Sequence, residues 1–83
     1  MKITVIVQGH SVEYFPEEQF PPDHDGPYEF ELGEAMTVRQ FLETVGVNPL
    51  LVMAVIVDGK RMDKDFHLYD GADVILLAPL AGG

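Results

Sequence analysis

Three histidines, fourteen carboxylates and one His-Ser neighbour pair are the side chains of this 83-residue chain whose types could hold a metal or attack a substrate. Asp23-His24-Asp25 is the densest such cluster, with His10 and His67 elsewhere in the chain. Its spacing matches neither the Asp-x-Asp-x-Asp-Gly ladder of a calcium loop nor the paired histidines, four apart on a helix, of a zinc hydrolase. The cluster therefore reads as a solvated loop, and no metal site is expected. Ser11 beside His10 offers no nucleophile and base, because adjacent residues on an extended chain point to opposite sides and no oxyanion signature accompanies them. Cysteine is absent, which removes thiolate chemistry, disulfides and cysteine-ligated zinc and suits a reducing, cytoplasmic setting. No glycine-rich phosphate cradle precedes a helix, so any ATP would have to be held by another protein. On these residues the chain is not expected to be an enzyme or to bind a cofactor.

Size and charge narrow the classes further. At 83 residues a single domain is expected, residues 1–83, hiding only about 60–65% of the surface its unfolded form would expose. The 47% hydrophobic content makes a core on packing alone feasible. The longest apolar runs, Leu50–Val57 and Val74–Leu80, fall far short of the ~18–20 residues of a membrane span. Met1–Val7 has one lysine and a short apolar run without the longer apolar region and small-residue cleavage site of a signal peptide, so the chain is read as neither exported nor targeted. Five bases against fourteen acids give a net charge of -9. Eight of the acids, from Glu13 to Glu34, fall between Lys2 and Arg39 with no base among them. Lys and Arg are what neutralise nucleic-acid backbones and anionic membrane surfaces, so no nucleic acid and no membrane is expected as a partner. A basic protein surface fits the acidic half better, although high negative charge also serves plain solubility.

The elements that must position any site are well marked. Lys2–Val7 has the Ile/Val composition of a buried strand. Residues 8–27 keep no period and carry Pro16, Pro21, Pro22, Gly26 and Pro27, forming a long acidic loop that Tyr14, Phe15 and Phe20 could pin to the body. Tyr28–Leu32 alternates, with Tyr28, Phe30 and Leu32 on one face and Glu29 and Glu31 on the other. Thr37 with Gln40 predicts a capping box, Met36 and Phe41 a hydrophobic staple, and Val38, Phe41, Leu42 and Val45 one apolar helical stripe. Gly46 stops that helix, and Asn48-Pro49 prevents its resumption. Leu51–Val57 reads as a strand covered on both faces, Asp58-Gly59 as a two-residue hairpin turn into Lys60–Met62. Asp63–Tyr69 reads as a turn or a single helical turn, and Val74–Ala78 as a last buried strand. Lys60 and Arg61 beside the hairpin are read as solvated cations.

The element order, the helix opening at Thr37-Val38, the Val57-Asp58-Gly59-Lys60 hairpin, the Asp70-Gly71-Ala72-Asp73-Val74 approach and the closing Pro79-Leu80-Ala81-Gly82-Gly83 together resemble the ThiS/MoaD family of ubiquitin-like sulfur carriers. The likeness covers most of the chain and is weakest over residues 8–27, where MoaD-like members carry a short helical segment and this chain has prolines. It implies an α+β, β-grasp (ubiquitin-like) fold, a mixed sheet of four to five strands with one main helix packed across it, first and last strands parallel at its centre. It also implies that an E1-like adenylating enzyme of the MoeB/ThiF type uses ATP to adenylate the carboxylate of Gly83, and that a persulfide sulfur donor converts it to a thiocarboxylate. A synthase subunit would then accept the sulfur.

The residues suit that use. A glycine without a Cβ can enter a narrow cleft in almost any conformation and leaves its carbonyl open on both sides, and Gly82 adds slack. Pro79 cannot donate to a strand ladder, so pairing should fail near it and leave 79–83 as a flexible arm. By composition alone a chain ends in Gly-Gly about once in 200, and a cloning scar can leave the same residues; the strand, proline and small residue before the pair carry the signal. Docking of the activating enzyme would use an apolar patch on the sheet face away from the helix, with Leu77, Pro79, Leu80 and Ala81 as candidates; Leu77 serves the core equally well. The length and the ending look more like MoaD-type members, small subunits of molybdopterin synthases. The Val-Asn-Pro helix exit looks more like ThiS-type members, which serve thiamin thiazole synthesis. A β-grasp module that only binds partners is the alternative from another class.

Overall fold

The computed structural model describes residues 1–8, 15–21 and 26–78. They form a small α+β domain of five strands and one α-helix. The strands are β1 (Lys2–Gln8), β2 (Tyr28–Glu31), β3 (Ala54–Val57), β4 (Lys60–Met62) and β5 (Asp73–Leu77), and the helix is α1 (Val38–Thr44). One mixed sheet runs in the order β2-β1-β5-β3-β4. β1 and β5 are parallel neighbours at its centre, with Val5 opposite Val74 and Val7 opposite Leu76. β2 lies antiparallel to β1, and β3 antiparallel to both β5 and β4. Period-two alternation then decides the packing: Ile3, Val5, Val7, Val55, Val57, Val74 and Leu76 all point to one face and are buried,.

The helix covers that face. Its predicted stripe, Val38, Phe41, Leu42 and Val45, is buried throughout. Both halves of the capping box close: the Gln40 N–H donates to Thr37 Oγ1 at 3.2 Å, and the Thr37 N–H donates to Gln40 Oε1 at 2.9 Å. The two remaining free donors of the first turn, the N–H groups of Val38 and Arg39, reach the carbonyls of Phe66 and Lys64 at 3.0 and 2.8 Å. The segment after β4, which the sequence leaves as a turn, is thus what anchors the start of the helix. At the other end Val47 N–H donates to Leu42 O and Gly46 N–H to Glu43 O, the Schellman pattern,. Gly46 sits at φ +83, a left-handed turn that favours glycine, and a Cβ there would crowd Pro16 Cγ at 3.2 Å,.

Two expectations are corrected. The strand predicted over Leu51–Val57 begins only at Ala54, because Pro49–Leu51 forms a 3₁₀ turn. Asn48 caps that turn, its Oδ1 accepting from Leu50 N–H at 3.0 Å, and Pro49 supplies the fixed φ of a first helical position,. Nor is β3 covered on both faces: Ala54 and Ile56 are only half-buried while Val55 and Val57 are buried. An unbroken apolar run hides an alternation when both parities happen to be aliphatic. Boundaries shift by a residue elsewhere: β1 includes Gln8, paired with Leu77, while β2 ends at Glu31 and β5 spans Asp73–Leu77. The hairpin turn is as expected, with both Asp58 and Gly59 at positive φ,. Within the long loop Phe15 and Phe20 are buried, Phe20 edge-on to Phe15 and to Tyr28; Tyr14 lies outside the described residues.

Candidate functional site

The face of the sheet turned away from α1 carries a second set of aliphatic side chains. On β1 the outward residues are Thr4, Ile6 and Gln8, on β5 Ile75 and Leu77, and on β3 Ala54 and Ile56. The register brings them together: Ile75 stands opposite Ile6 on one side and Ile56 on the other, and Leu77 opposite Gln8 and Ala54. Ile6, Ile56, Ile75 and Leu77 are each half-buried, so they form one contiguous apolar strip across three strands. Its rim is polar. Arg61 stands opposite Ile56, and Thr4 opposite Asp73 and Glu29. Thr4 Oγ1 donates to Asp73 Oδ1 at 3.1 Å, and Lys2 Nζ lies 3.3 Å from Glu29 Oε1.

The strip runs toward the end of β5. Leu77 O accepts from Met53 N–H at 2.7 Å and Ala78 N–H donates to Gln8 O at 3.0 Å. Of the site residues read from the sequence, Leu77 is therefore on the outer face and not in the core. Pro79, Leu80, Ala81, Gly82 and Gly83 lie outside the described residues. Ile6, Ile56 and Ile75 were missed as surface residues because the strands bearing them read as buried. The inward face of Tyr28, Phe30 and Leu32 is legible in the sequence, but the register that carries that face across to Ile6, Ile75 and Ile56 is not.

The other chemical candidates are not gathered into a site. His67 is exposed and takes part in a single backbone bridge with Thr37. His10, Ser11, Asp23, His24 and Asp25 lie outside the described residues. Among the described residues no three His, Asp or Glu side chains converge as a metal would require, and no helix is long and apolar enough to cross a membrane. Every buried side-chain nitrogen or oxygen among them has a hydrogen-bond partner, so none is left aimed at a ligand.

Compared with known proteins, the chain matches no family model, no curated protein and no solved structure.

Proposed function

We propose that this domain is a β-grasp sulfur carrier whose acyl site is Gly83 and whose outer sheet face docks the enzyme that activates it. The strand order β2-β1-β5-β3-β4, with β1 and β5 parallel at the centre and one helix across the sheet, carries this reading. It supports the β-grasp arrangement, and it makes the strand that leads into Pro79-Leu80-Ala81-Gly82-Gly83 a central one whose last outward side chain, Leu77, belongs to the apolar strip. An enzyme seated on the strip would have the arm within reach.

A carboxylate resists attack because the incoming electrons meet a full negative charge and oxide is a poor leaving group. Transfer of AMP from ATP to Gly83, with release of pyrophosphate, turns it into an acyl adenylate. A protein persulfide displaces AMP to give an acyl disulfide, and a thiol then reduces the S–S bond and releases the thiocarboxylate. The sulfur goes to a synthase subunit that builds the dithiolene of molybdopterin; a ThiS-type thiazole acceptor is the closest variant. No residue of this chain performs a bond-making step: it supplies the carboxyl group, the slack of Gly82 and a docking face. A second reading, a module that only binds partners, is favoured by the outer strip, which needs no arm to function.

Intact-mass analysis of the protein from its native host, or after incubation with ATP, an E1-like enzyme and a persulfide donor, tests the proposal. The expected result is a natural chain ending at Gly83 with a gain equal to one oxygen exchanged for sulfur. Methionine oxidation adds nearly the same mass, but no methionine follows Met62, so fragmentation must place the gain in the final residues. Deletion of Gly83 should abolish the gain without lowering stability. An unchanged mass, or a natural chain that continues past Gly83, would overturn the carrier reading and leave the binding module.

A further inference from the structure

The chain has only five Lys and Arg residues against fourteen acids, yet three of the five line one surface hollow of about 390 Å³. These are Arg39 on α1, Arg61 on β4 and Lys64 in the following turn. Met53 and Met62 supply its apolar wall, and Met53 is 69% exposed. Two carboxylates share the site, Asp65, whose Oδ1 lies 3.3 Å from Arg39 Nε, and Asp63, whose Oδ1 accepts from Asp65 N–H at 2.8 Å, so the three cations exceed the acids by one formal charge. Arg61 and Lys64 pair with no carboxylate among the described residues. The hollow is therefore locally positive on a strongly negative chain. It opens where β3 begins, beside the end of β5, since Met53 N–H donates to Leu77 O. Arg61, opposite Ile56, joins it to the outer apolar strip.

We propose that this hollow docks an acidic segment of a partner protein that carries an apolar side chain among its carboxylates, the latter meeting Arg61 and Lys64 and the former seating against Met53. Overall charge points the other way, toward a basic partner. Charge distribution matters more than the total at contact distance, because exposed charges beyond about 8–10 Å are largely screened at physiological salt. Methionine suits the apolar part of such a contact, being flexible and polarizable enough to fit different side chains. The net charge of -9 argues against a second copy of this chain as the occupant. The site stands whether or not Gly83 is activated, although a partner gripping the end of β5 would reach it.

The probe is a synthetic capped peptide, Asp-Glu-Leu-Phe-Glu-Glu-Leu-Asp, titrated into the isotope-labelled full chain, with amide shifts recorded by NMR. It should move the amides of Met53 and of residues 61–65 in a saturable, salt-sensitive way. R61E and K64E should each weaken binding about tenfold, and R61Q about threefold. K60E makes the same change in net charge at a residue outside the hollow's lining and should weaken binding clearly less than R61E. A peptide with lysine at every acidic position should leave these amides still. The proposal is overturned if the lysine peptide moves them equally, if K60E weakens binding as much as R61E, or if the acidic peptide moves no amide of the hollow at millimolar concentration. None of these outcomes depends on the mass of the chain's final residues, so this site and the sulfur-carrier reading fail separately.

Discussion

The two faces of the one sheet are built from the same kinds of residue and have different fates. Along β5, Val74 and Leu76 point inward and are 2% and 0% exposed, whereas Ile75 and Leu77 point outward and are only partly buried. Helix α1, through Phe41 and Leu42, closes over the first set, with Phe30 of β2 packed against it. No described element crosses the second. Aliphatic side chains at alternate positions on both faces of central strands are what parallel sheets have when both faces are covered. Here no described helix or strand lies across one of the two faces. The difference teaches that burial is set by what lies across the sheet, while hydrophobicity only sets what would be gained by it.

Substitutions on the two faces test that contrast. The largest effect should come from Leu76→Ala. It removes a fully buried side chain from the centre of the core and should cost about 2–5 kcal/mol, a fall in Tm of at least about 8 °C in a domain of this size. Thermal or urea unfolding measures it, and a cost under about 1 kcal/mol would mean the inner face is loosely packed. Next comes the cover itself. Thr37→Ala breaks the hydrogen bond from Gln40 N–H and should cost about 1 kcal/mol. Most of that loss should return in Thr37→Asp, whose carboxylate can accept the same bond and favours the helix start. If Thr37→Asp restored nothing, the backbone links to Lys64 and Phe66, and not the cap, would be holding that end.

How far the sequence reveals these features depends on the range over which each signal acts. The capping box, the Asp58-Gly59 hairpin and the helix stop at Gly46 are set within three or four residues, and all are where the sequence puts them. The 3₁₀ turn at Pro49–Leu51 is equally local, but Leu51 and Val52 sit in an apolar run that imitates a strand, and the composition of the run masked the Asn48 cap. The outer strip was out of reach for a different reason. Whether Ile56 and Ile75 are covered depends on what packs across the sheet, and no spacing within their own strands records it. The basic hollow is harder still, because Arg39 and Lys64 are 25 positions apart and meet only through the helix start. Gly82 and Gly83 lie outside the described residues, and their reading rests on the resemblance and on residue type, with no geometry beside it.

The smallest stability effect should be at Leu77. It is the chemical twin of Leu76 and its immediate neighbour, so Leu77→Ala removes the same atoms from the opposite face. A partly buried side chain gives up only part of its contact area on truncation, and its cross-strand neighbours Gln8 and Ala54 offer weak pairing. A cost below about 1 kcal/mol follows. Binding should respond in the reverse order. In complex with a partner that covers the strip, Leu77→Ala or the more disruptive Leu77→Asp should weaken association by about tenfold or more, as read by titration calorimetry with the proposed activating enzyme. Leu76→Ala should change affinity little while the domain stays folded. If Leu77→Ala were instead as destabilising as Leu76→Ala in the isolated, monomeric chain, the outer face would already be covered by the chain itself, and the strip could not be where a partner docks.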